Sequence, residues 1–208
     1  MRRFRIEKAP AAADLDAIAE LLRAGGVVLL PTDTIYGFHA VATNEAAVGD
    51  LATIKGRDEG KPFVVIGSSI AQLTDLGISI RPEAGQILTS LWPAPLTAVL
   101  PLIQPVAASR GAASLAVRIP ALDWLRELLD RAGPLASTSA NASGQPPISS
   151  PDELAPGMHS RLSGVVDGGV YGGEPSVIVD FTGAEPRLLR EGDPGFTQKV
   201  WKTLRKTL

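Results

Sequence analysis

The chain has 208 residues, with 20 Lys and Arg against 22 Asp and Glu, so its formal net charge is −2. Hydrophobic residues make up 45% of the sequence and charged residues 20%, a composition that excludes an intrinsically disordered protein. The absence of cysteine excludes disulfides, thiolate metal ligands and a cysteine nucleophile. The near balance of charge argues against a protein that acts mainly by coating nucleic acid.

The apolar runs of this sequence are too short to cross a membrane. Runs such as Val27–Pro31 and Phe63–Ile66 span a few residues, whereas a membrane helix needs roughly 20. The N-terminus begins with basic residues, but Glu7, Asp14 and Asp16 follow where a signal peptide requires apolar ones. We therefore expect a cytoplasmic protein without membrane contact.

Hydrophobic periodicity and turn residues predict strands that alternate with helices along the chain. In chain order these are a helix around Leu15–Leu22, a strand at Val27–Leu30, a helix over Glu45–Ile54, a strand at Phe63–Ile66, a short helix capped by Ser68 or Ser69 and running toward Leu76, a helix from Pro82 to near Trp92, strands at Leu96–Leu100 and Leu115–Ile119, a helix over Leu122–Leu129, strands at Val165–Val166, Val177–Phe181 and Arg187–Leu189, and a helix over Phe196–Leu204.

This alternation predicts a single α/β domain over residues 8–193, with a twisted, mixed parallel and antiparallel open sheet flanked by helices. A basic C-terminal helix is predicted over 194–208. Residues 141–156 are rich in Ser, Pro and Gly, and we interpret them as a functional loop because too few strands follow for a second domain.

Familiar catalytic signatures are missing from the sequence. The segment Gly56–Pro62 is one residue short of a P-loop and lacks its Ser or Thr. His39 and His159 lie far apart, without acidic neighbours at metal-ligand spacing. An enzyme with this sequence is therefore expected to act by positioning and charge stabilisation, without a protein nucleophile.

Three clusters remain as candidate sites. Lys55 and Arg57 with Lys61 form a cationic turn suited to polyphosphate, or a solvated loop whose charges Asp58 and Glu59 offset.

The other two clusters follow predicted apolar segments. The run Ser137–Gly144 places hydroxyl groups and the Asn141 amide where α/β sheets bind ligands, or forms a Ser-rich turn. The segment Pro31–Gly37 is either a further part of the site or a turn that ends a strand.

Taken together, the clusters resemble the YrdC/Sua5 family of L-threonylcarbamoyladenylate synthases, from about Ala24 to Gly192. The matching pieces are Pro31–Gly37, Lys55-Gly56-Arg57 with Lys61-Pro62, Leu91–Thr97, Val117–Pro120, Ser137–Gly144, Ser176–Asp180 and Leu189–Gly192. Each of these motifs is weak evidence on its own, but their order and spacing together are specific to the family.

The resemblance implies a YrdC-like fold with a concave, positively charged site. It implies that ATP, L-threonine and bicarbonate or CO2 are converted to threonylcarbamoyl-AMP and pyrophosphate. A partner threonylcarbamoyl transferase complex would then modify adenosine 37 of tRNA, to give the t6A nucleoside. Mg²⁺ would accompany the ATP phosphates, since the sequence offers no dedicated metal cage.

The resemblance also assigns roles to residues of this sequence. Lys55 and Arg57 would be catalytic. The ATP-binding residues would be Arg57, Lys61, Ser114, Asn141, Ser149 and Arg190. The L-threonine-binding residues would be Thr34, Arg118, Ser139 and Ser176, with Arg118 on the carboxylate.

Two other functions stay open on the sequence alone. One is a paralogue that binds nucleotide or RNA without synthase activity, which Val177 and Ile66 favour because each stands where relatives carry a polar side chain. The other is a double-stranded RNA-binding module that uses the basic C-terminal residues and makes contact with tRNA.

Overall fold

The structure is a computed structural model that describes residues 1–56, 60–141 and 145–207. Its centre is a ten-stranded sheet with the strand order β1-β8-β2-β3-β7-β4-β6-β5-β9-β10. Parallel pairs are β1/β8, β2/β8, β4/β6 and β5/β9, and antiparallel pairs are β2/β3, β3/β7, β4/β7, β5/β6 and β9/β10. The expected single α/β domain with a mixed sheet is confirmed.

The strands are short, as the many Gly and Pro residues lead one to expect. They are β1 Arg2–Arg5, β2 Val28–Pro31, β3 Tyr36–Val41, β4 Val64–Ile66, β5 Leu96–Pro101, β6 Ser114–Arg118, β7 Leu135–Ser139, β8 Gly164–Asp167, β9 Val177–Asp180 and β10 Arg187–Arg190. The helices are α1 Ala12–Arg23, α2 Glu45–Lys55, α3 Ile70–Asp75, α4 Pro82–Leu91, α5 Asp123–Ala132, α6 Pro156–His159 and α7 Pro194–Thr207.

Local sequence explains where the helices begin and end. The Asn44 side chain accepts a hydrogen bond from Ala47 N at 3.0 Å and starts α2. Ser69 rather than Ser68 caps α3. Gly56 ends α2 in the left-handed conformation, with φ of 59°, and so turns the chain immediately after Lys55.

The two faces of the sheet are covered differently. One face is packed by α2, α4 and α7, in a core that includes Phe38, Val65 and Val117. The other face is packed by α1 and α5 over part of its area only, against residues such as Val28 and Ile66. The rest of that second face carries polar side chains, and it forms the floor of the candidate site.

Three strands were not among the predicted ones. Arg2–Arg5 forms the edge strand β1 in spite of its basic composition, because it pairs with β8. Tyr36–Val41 continues the third sequence cluster into β3. In the second cluster, Ser137 to Ser139 lie within β7 rather than after a strand, because β3 and β4 pair with them on both sides.

The basic C-terminal helix is part of the packed structure. In α7, Val200 and Leu204 are buried in the larger core, whereas Lys199 and Lys202 are exposed. Of the helices that the structure describes, none combines the length and apolar character that crossing a bilayer requires.

Candidate active site

A cavity of about 200 Å3 opens on the partly covered face of the sheet. This is below the roughly 300–1,000 Å3 usual for drug-sized ligands, so the cavity suits a small molecule. Its polar lining includes Thr32, Thr34, Thr97, Arg118, Ser137, Ser139, Ser176 and Arg190. All four side chains expected to bind threonine therefore line one cavity, together with Arg190.

The register of the strands explains this convergence. Arg190 on β10 and Thr97 on β5 are both paired with Ile178 on β9, and Thr97 is paired with Arg118 on β6. Side chains in one row across a sheet point to the same face. Residues from three distant parts of the sequence thus reach one side of the cavity.

The turn between β2 and β3 forms one wall of the cavity. Thr32 Oγ1 donates to the Ile35 carbonyl at 2.9 Å and accepts from Thr34 N at 3.2 Å. These bonds hold Thr34 Oγ1 in place to accept from Arg118 Nη1 at 2.9 Å. The turn is therefore rigid and polar, and it holds the arginine as well as lining the cavity.

Arg118 is a buried cation that is paired with the carboxylate of Asp33. Its side chain is 7% exposed, and Nη2 lies 3.5 Å from Asp33 Oδ1. Asp33 Oδ2 accepts from Ala121 N at 3.0 Å. The Nε of Arg118 has no hydrogen-bond partner in the described chain. Burial lowers the pKa of Arg118, while Asp33 opposes that effect.

Arg190 is the second cation of the cavity and is more open. Its Nε and Nη2 donate to the Ser176 carbonyl at 3.0 and 2.8 Å, and Nη2 reaches Ser176 Oγ at 3.2 Å. Burial first, and then the charge of Arg118, lower the pKa of Arg190. Two guanidinium groups that repel each other across a cavity favour an anionic ligand between them.

Lys55 reaches the same region from the end of α2. Its Nζ donates to the Ser139 carbonyl at 2.8 Å, to Ser139 Oγ at 3.0 Å and to the Asn141 carbonyl at 3.1 Å, and it also contacts Asn141 Oδ1. These four acceptors are uncharged, and they fix the direction of the ammonium group. Lys55, Ser139 and Asn141 thus form one cluster beside the cavity.

Ser114 and Lys61, which are also predicted to bind ATP, are not among the residues that line this cavity. Ser114 begins β6, at the end of the strand away from Arg118, and Lys61 precedes β4 at that same end of the sheet. Asn141 also lines a neighbouring cavity of about 260 Å3, which shares Pro147 with the first one.

The two remaining residues predicted to bind ATP are Ser149 and Arg57. Ser149 bonds to Glu153, and hydrogen bonds from Ser149 lower the pKa of that glutamate. Arg57, predicted to be catalytic and to bind ATP, lies outside the described residues.

A strap over residues 168–176 runs beside the Thr34 turn, and its last two residues, Pro175 and Ser176, line the cavity. Burial raises the pKa of Tyr36 to about 12, so its protonated hydroxyl donates to the Gly169 carbonyl at 2.9 Å. Gly168 N donates back to that hydroxyl at 2.9 Å. Tyr171 packs edge-on against the Tyr36 ring, with centroids 5.6 Å apart. The strap is therefore attached to the sheet at its base.

We expect Gly173→Ala to destabilise the strap. A Cβ at this position would overlap the Thr34 carbonyl oxygen, which belongs to the cavity wall. The expected loss in the free energy of unfolding is about 1–3 kcal/mol, the usual cost of overpacking. Urea denaturation measures it, and Gly172→Ala is the control because no described atom lies within 4 Å of its Cβ. Equal stabilities for the two variants would contradict the close approach.

Sequence reasoning missed several residues that line or support the cavity. Within the segment Pro31–Gly37, the resemblance assigns a role to Thr34 but none to Thr32 or Asp33. It assigns none to Thr97 either, although a lone hydroxyl in the apolar strand β5 is a usable signal. The Thr97 Oγ1 lies 2.8 Å from Ser176 Oγ, and Thr97 is 1% exposed. Buried hydroxyl pairs of this kind form across strands, which sequence spacing does not reveal.

Comparison with known proteins identifies the family of the chain. A family model covering Sua5, YciO and YrdC, described as telomere recombination, matches residues 20–192. The threonylcarbamoyl-AMP synthase of Pyrococcus abyssi is 35% identical over 178 residues, which are 84% of this chain and 52% of that protein. The chain thus spans about half the length of that relative. The synthase of Xanthomonas campestris pv. campestris is 37% identical over 178 residues, 82% of this chain and 95% of the relative.

A solved structure shares both fold and sequence similarity with the chain. It is P. abyssi Sua5 complexed with L-threonine, with a TM-score of 0.86 and 31% identity over 96% of this chain and 61% of that one.

Proposed function

Because the chain belongs to the Sua5/YciO/YrdC family, we propose that it is an L-threonylcarbamoyladenylate synthase. The substrates are L-threonine, bicarbonate or CO2, and ATP, and the products are threonylcarbamoyl-AMP and pyrophosphate. The observation that carries this proposal is one cavity in which two arginines, Arg118 and Arg190, lie beside the Lys55–Ser139 cluster.

L-threonine fits the arginine side of the cavity. Its carboxylate pairs with Arg118, whose Nε is left without a partner in the described chain, and Arg190 adds a second positive charge. Thr34, Ser139 and Ser176 supply hydroxyl groups around it. A carboxylate between two guanidinium groups gains charge-assisted hydrogen bonds, each worth about 1.5–3 kcal/mol.

ATP fits the end of the sheet where Lys55, Lys61 and Ser114 lie. Asn141 stands beside them, with its Oδ1 accepting from Ser139 Oγ and its Nδ2 donating to the Gln145 carbonyl. Arg57 and Ser149 remain predicted ATP-binding residues. Mg²⁺ enters on the phosphates, because no group of three His, Asp or Glu side chains within the described residues could hold it.

The substrates supply the reactive groups in this reaction. The neutral amine of threonine attacks CO2, and loss of one proton leaves a carbamate anion. A carbamate oxygen then attacks the α-phosphorus of ATP, a P–O bond breaks, and pyrophosphate leaves with the electron pair. The Lys55 ammonium group offsets the negative charge that accumulates as the two anions approach. The strap over 168–176 limits the water that would hydrolyse the carbamate and the mixed anhydride.

The direct test supplies labelled bicarbonate, L-threonine and ATP with Mg²⁺ to the purified chain. We expect pyrophosphate release that depends on threonine, and a labelled adenylate of the mass of threonylcarbamoyl-AMP. Release that is the same with and without threonine, from folded protein, would contradict the proposal and support a nucleotide-binding paralogue.

The two residues that favoured such a paralogue do not line the cavity. Val177 is 1% exposed and packs in the core on the opposite face of the sheet, next to the cavity residue Ser176. Ile66 is fully buried against the helices α1 and α5. Their apolar side chains fit their surroundings, so neither argues against synthase activity.

The product implies partners beyond the three substrates. A mixed anhydride must be used quickly, so a threonylcarbamoyl transferase complex that modifies tRNA in the cytoplasm is the proposed recipient. Lys199 and Lys202 on α7 are exposed and available to RNA. Filter binding with tRNA, with both lysines changed to glutamate as a comparison, tests that contact.

A further inference from the structure

The fully buried histidine His39 lies beside the cavity floor, next to Ser137. It is 0% exposed, on the same face of β3 as Gly37, a residue that lines the cavity. The His39 ring occupies the space beside Gly37, because a Cβ there would lie 2.8 Å from His39 Cε1. Burial lowers the pKa of His39 to about 3, so the imidazole is neutral near pH 7.

A side-chain hydrogen bond links His39 to the cavity. The His39 Nε2 lies 3.1 Å from Ser137 Oγ, and Ser137 lines the floor. The two residues are also paired across β3 and β7. With Nε2 unprotonated, the Ser137 hydroxyl donates to it and offers its lone pairs to the cavity; with Nε2 protonated, Ser137 Oγ accepts and keeps its own hydrogen for an acceptor in the cavity.

Val64 stands on the other side of Ser137. It is paired with Ser137 across β4 and β7, and it lines the same floor. Both side chains are partly exposed toward the cavity. Directly paired residues on one face have Cβ atoms about 4.5–5.5 Å apart. The floor therefore presents an oriented hydroxyl next to a branched apolar group.

The position of this pair relative to Arg118 matches an amino acid. Arg118 lies in register with Ile66, which is two residues beyond Val64 on β4. Two residues along a strand span about 7 Å. An amino acid whose carboxylate meets Arg118 can therefore extend its side chain over Ser137 and Val64.

We propose that Ser137, held by His39, and Val64 form the subsite that recognises the β-hydroxyl and the γ-methyl of the amino-acid substrate. This inference rests on the proposed use of L-threonine. In it, Ser137 contacts the substrate hydroxyl, Val64 packs against the methyl group, and His39 is a positioning residue that acts through Ser137. The subsite distinguishes threonine from amino acids that lack either group or carry them in exchanged positions.

Four amino acids test the subsite by calorimetry, each with and without a non-hydrolysable ATP analogue. L-valine replaces the hydroxyl with methyl, L-serine lacks the methyl, and L-allo-threonine exchanges the two. We expect the wild-type protein to prefer L-threonine over L-valine and L-allo-threonine by about tenfold or more. Ser137→Ala should remove most of that preference, with valine binding changed by less than about twofold. Val64→Ala should reduce the preference for threonine over serine.

Variants of His39 test the positioning role. His39→Leu should lower the threonine-to-valine ratio, and His39→Gln, which keeps a polar group near the Nε2 position, should recover part of it. In the Ser137→Ala background, His39→Leu should have no further effect on the ratio. Ser160→Ala serves as a matched control, because Ser160 is an exposed serine that directly follows α6.

The possible results distinguish a failure of the proposed function from a failure of the proposed subsite. If the wild-type protein binds none of the four amino acids, the proposed function fails. If it binds threonine but Ser137→Ala weakens threonine and valine equally, Ser137 contacts another group and the subsite is overturned. If His39→Leu lowers only the melting temperature, His39 is a packing residue. Ser137→Ala and Val64→Ala keep the subsite testable should His39→Leu not fold.

Discussion

Arg118→Met is expected to remove threonine-dependent turnover and to lower the free energy of unfolding by about 3–5 kcal/mol. Two separate causes contribute. The variant takes away the buried guanidinium group to which we assign the substrate carboxylate. It also leaves Asp33, whose side chain is 6% exposed, without the cation 3.5 Å away. A buried carboxylate without its partner carries a large desolvation cost.

A second substitution separates these causes. Asp33→Asn in the Arg118→Met background removes the uncompensated charge, and its side-chain oxygen can still accept from Ala121 N. We expect most of the stability to return in urea denaturation, while threonine binding stays lost by calorimetry. Recovery of threonine binding in the double variant would show that Arg118 only supports the fold.

Lys55→Met is expected to lower kcat by about 10²–10³-fold, the usual effect of removing one preorganised charge from a site. The Ser139 and Asn141 oxygens hold the Lys55 ammonium group beside the cavity, where we propose that the carbamate and the α-phosphate meet. Threonine binding should change much less than kcat, because Arg118 and Arg190 hold the carboxylate. Initial rates of pyrophosphate release at saturating substrates measure the effect.

Lys8→Met provides the control for Lys55→Met. Lys8 is an exposed lysine between β1 and α1, so its loss should leave the kcat unchanged. A kcat for Lys55→Met within about twofold of this control would contradict the electrostatic role, since a contact worth roughly 1.4 kcal/mol already changes a rate tenfold.

Much of the fold follows from local sequence signals. The strand at Leu96–Pro101 and the helices α4 and α5 have clear apolar periodicity, and Pro82 and Gly133 mark where a helix begins or ends. β1 and β3 were missed for physical reasons. The strand character of Arg2–Arg5 comes from pairing with β8, 160 residues away in the sequence, and that of Tyr36–Val41 from two neighbouring strands.

Most residues of the candidate site could be predicted from the sequence, but their positions relative to one another could not. Motif order led to Thr34, Arg118, Ser139 and Ser176, which the fold brings together. It could not reveal that Arg190 shares a row with Arg118, because that depends on the register of four strands. Nor could it reveal that a buried His39 bonds to Ser137, since a lone histidine in a sequence is most often a packing residue.

The most direct measurement is a crystal structure of the protein with L-threonine and a non-hydrolysable ATP analogue. We expect the threonine carboxylate to lie between Arg118 and Arg190 and the threonine side chain to contact Ser137 and Val64. The α-phosphate of the analogue should lie near Lys55 Nζ. Threonine bound elsewhere, or phosphates on a surface apart from the Lys55–Ser139 cluster, would contradict the existence of a single shared site.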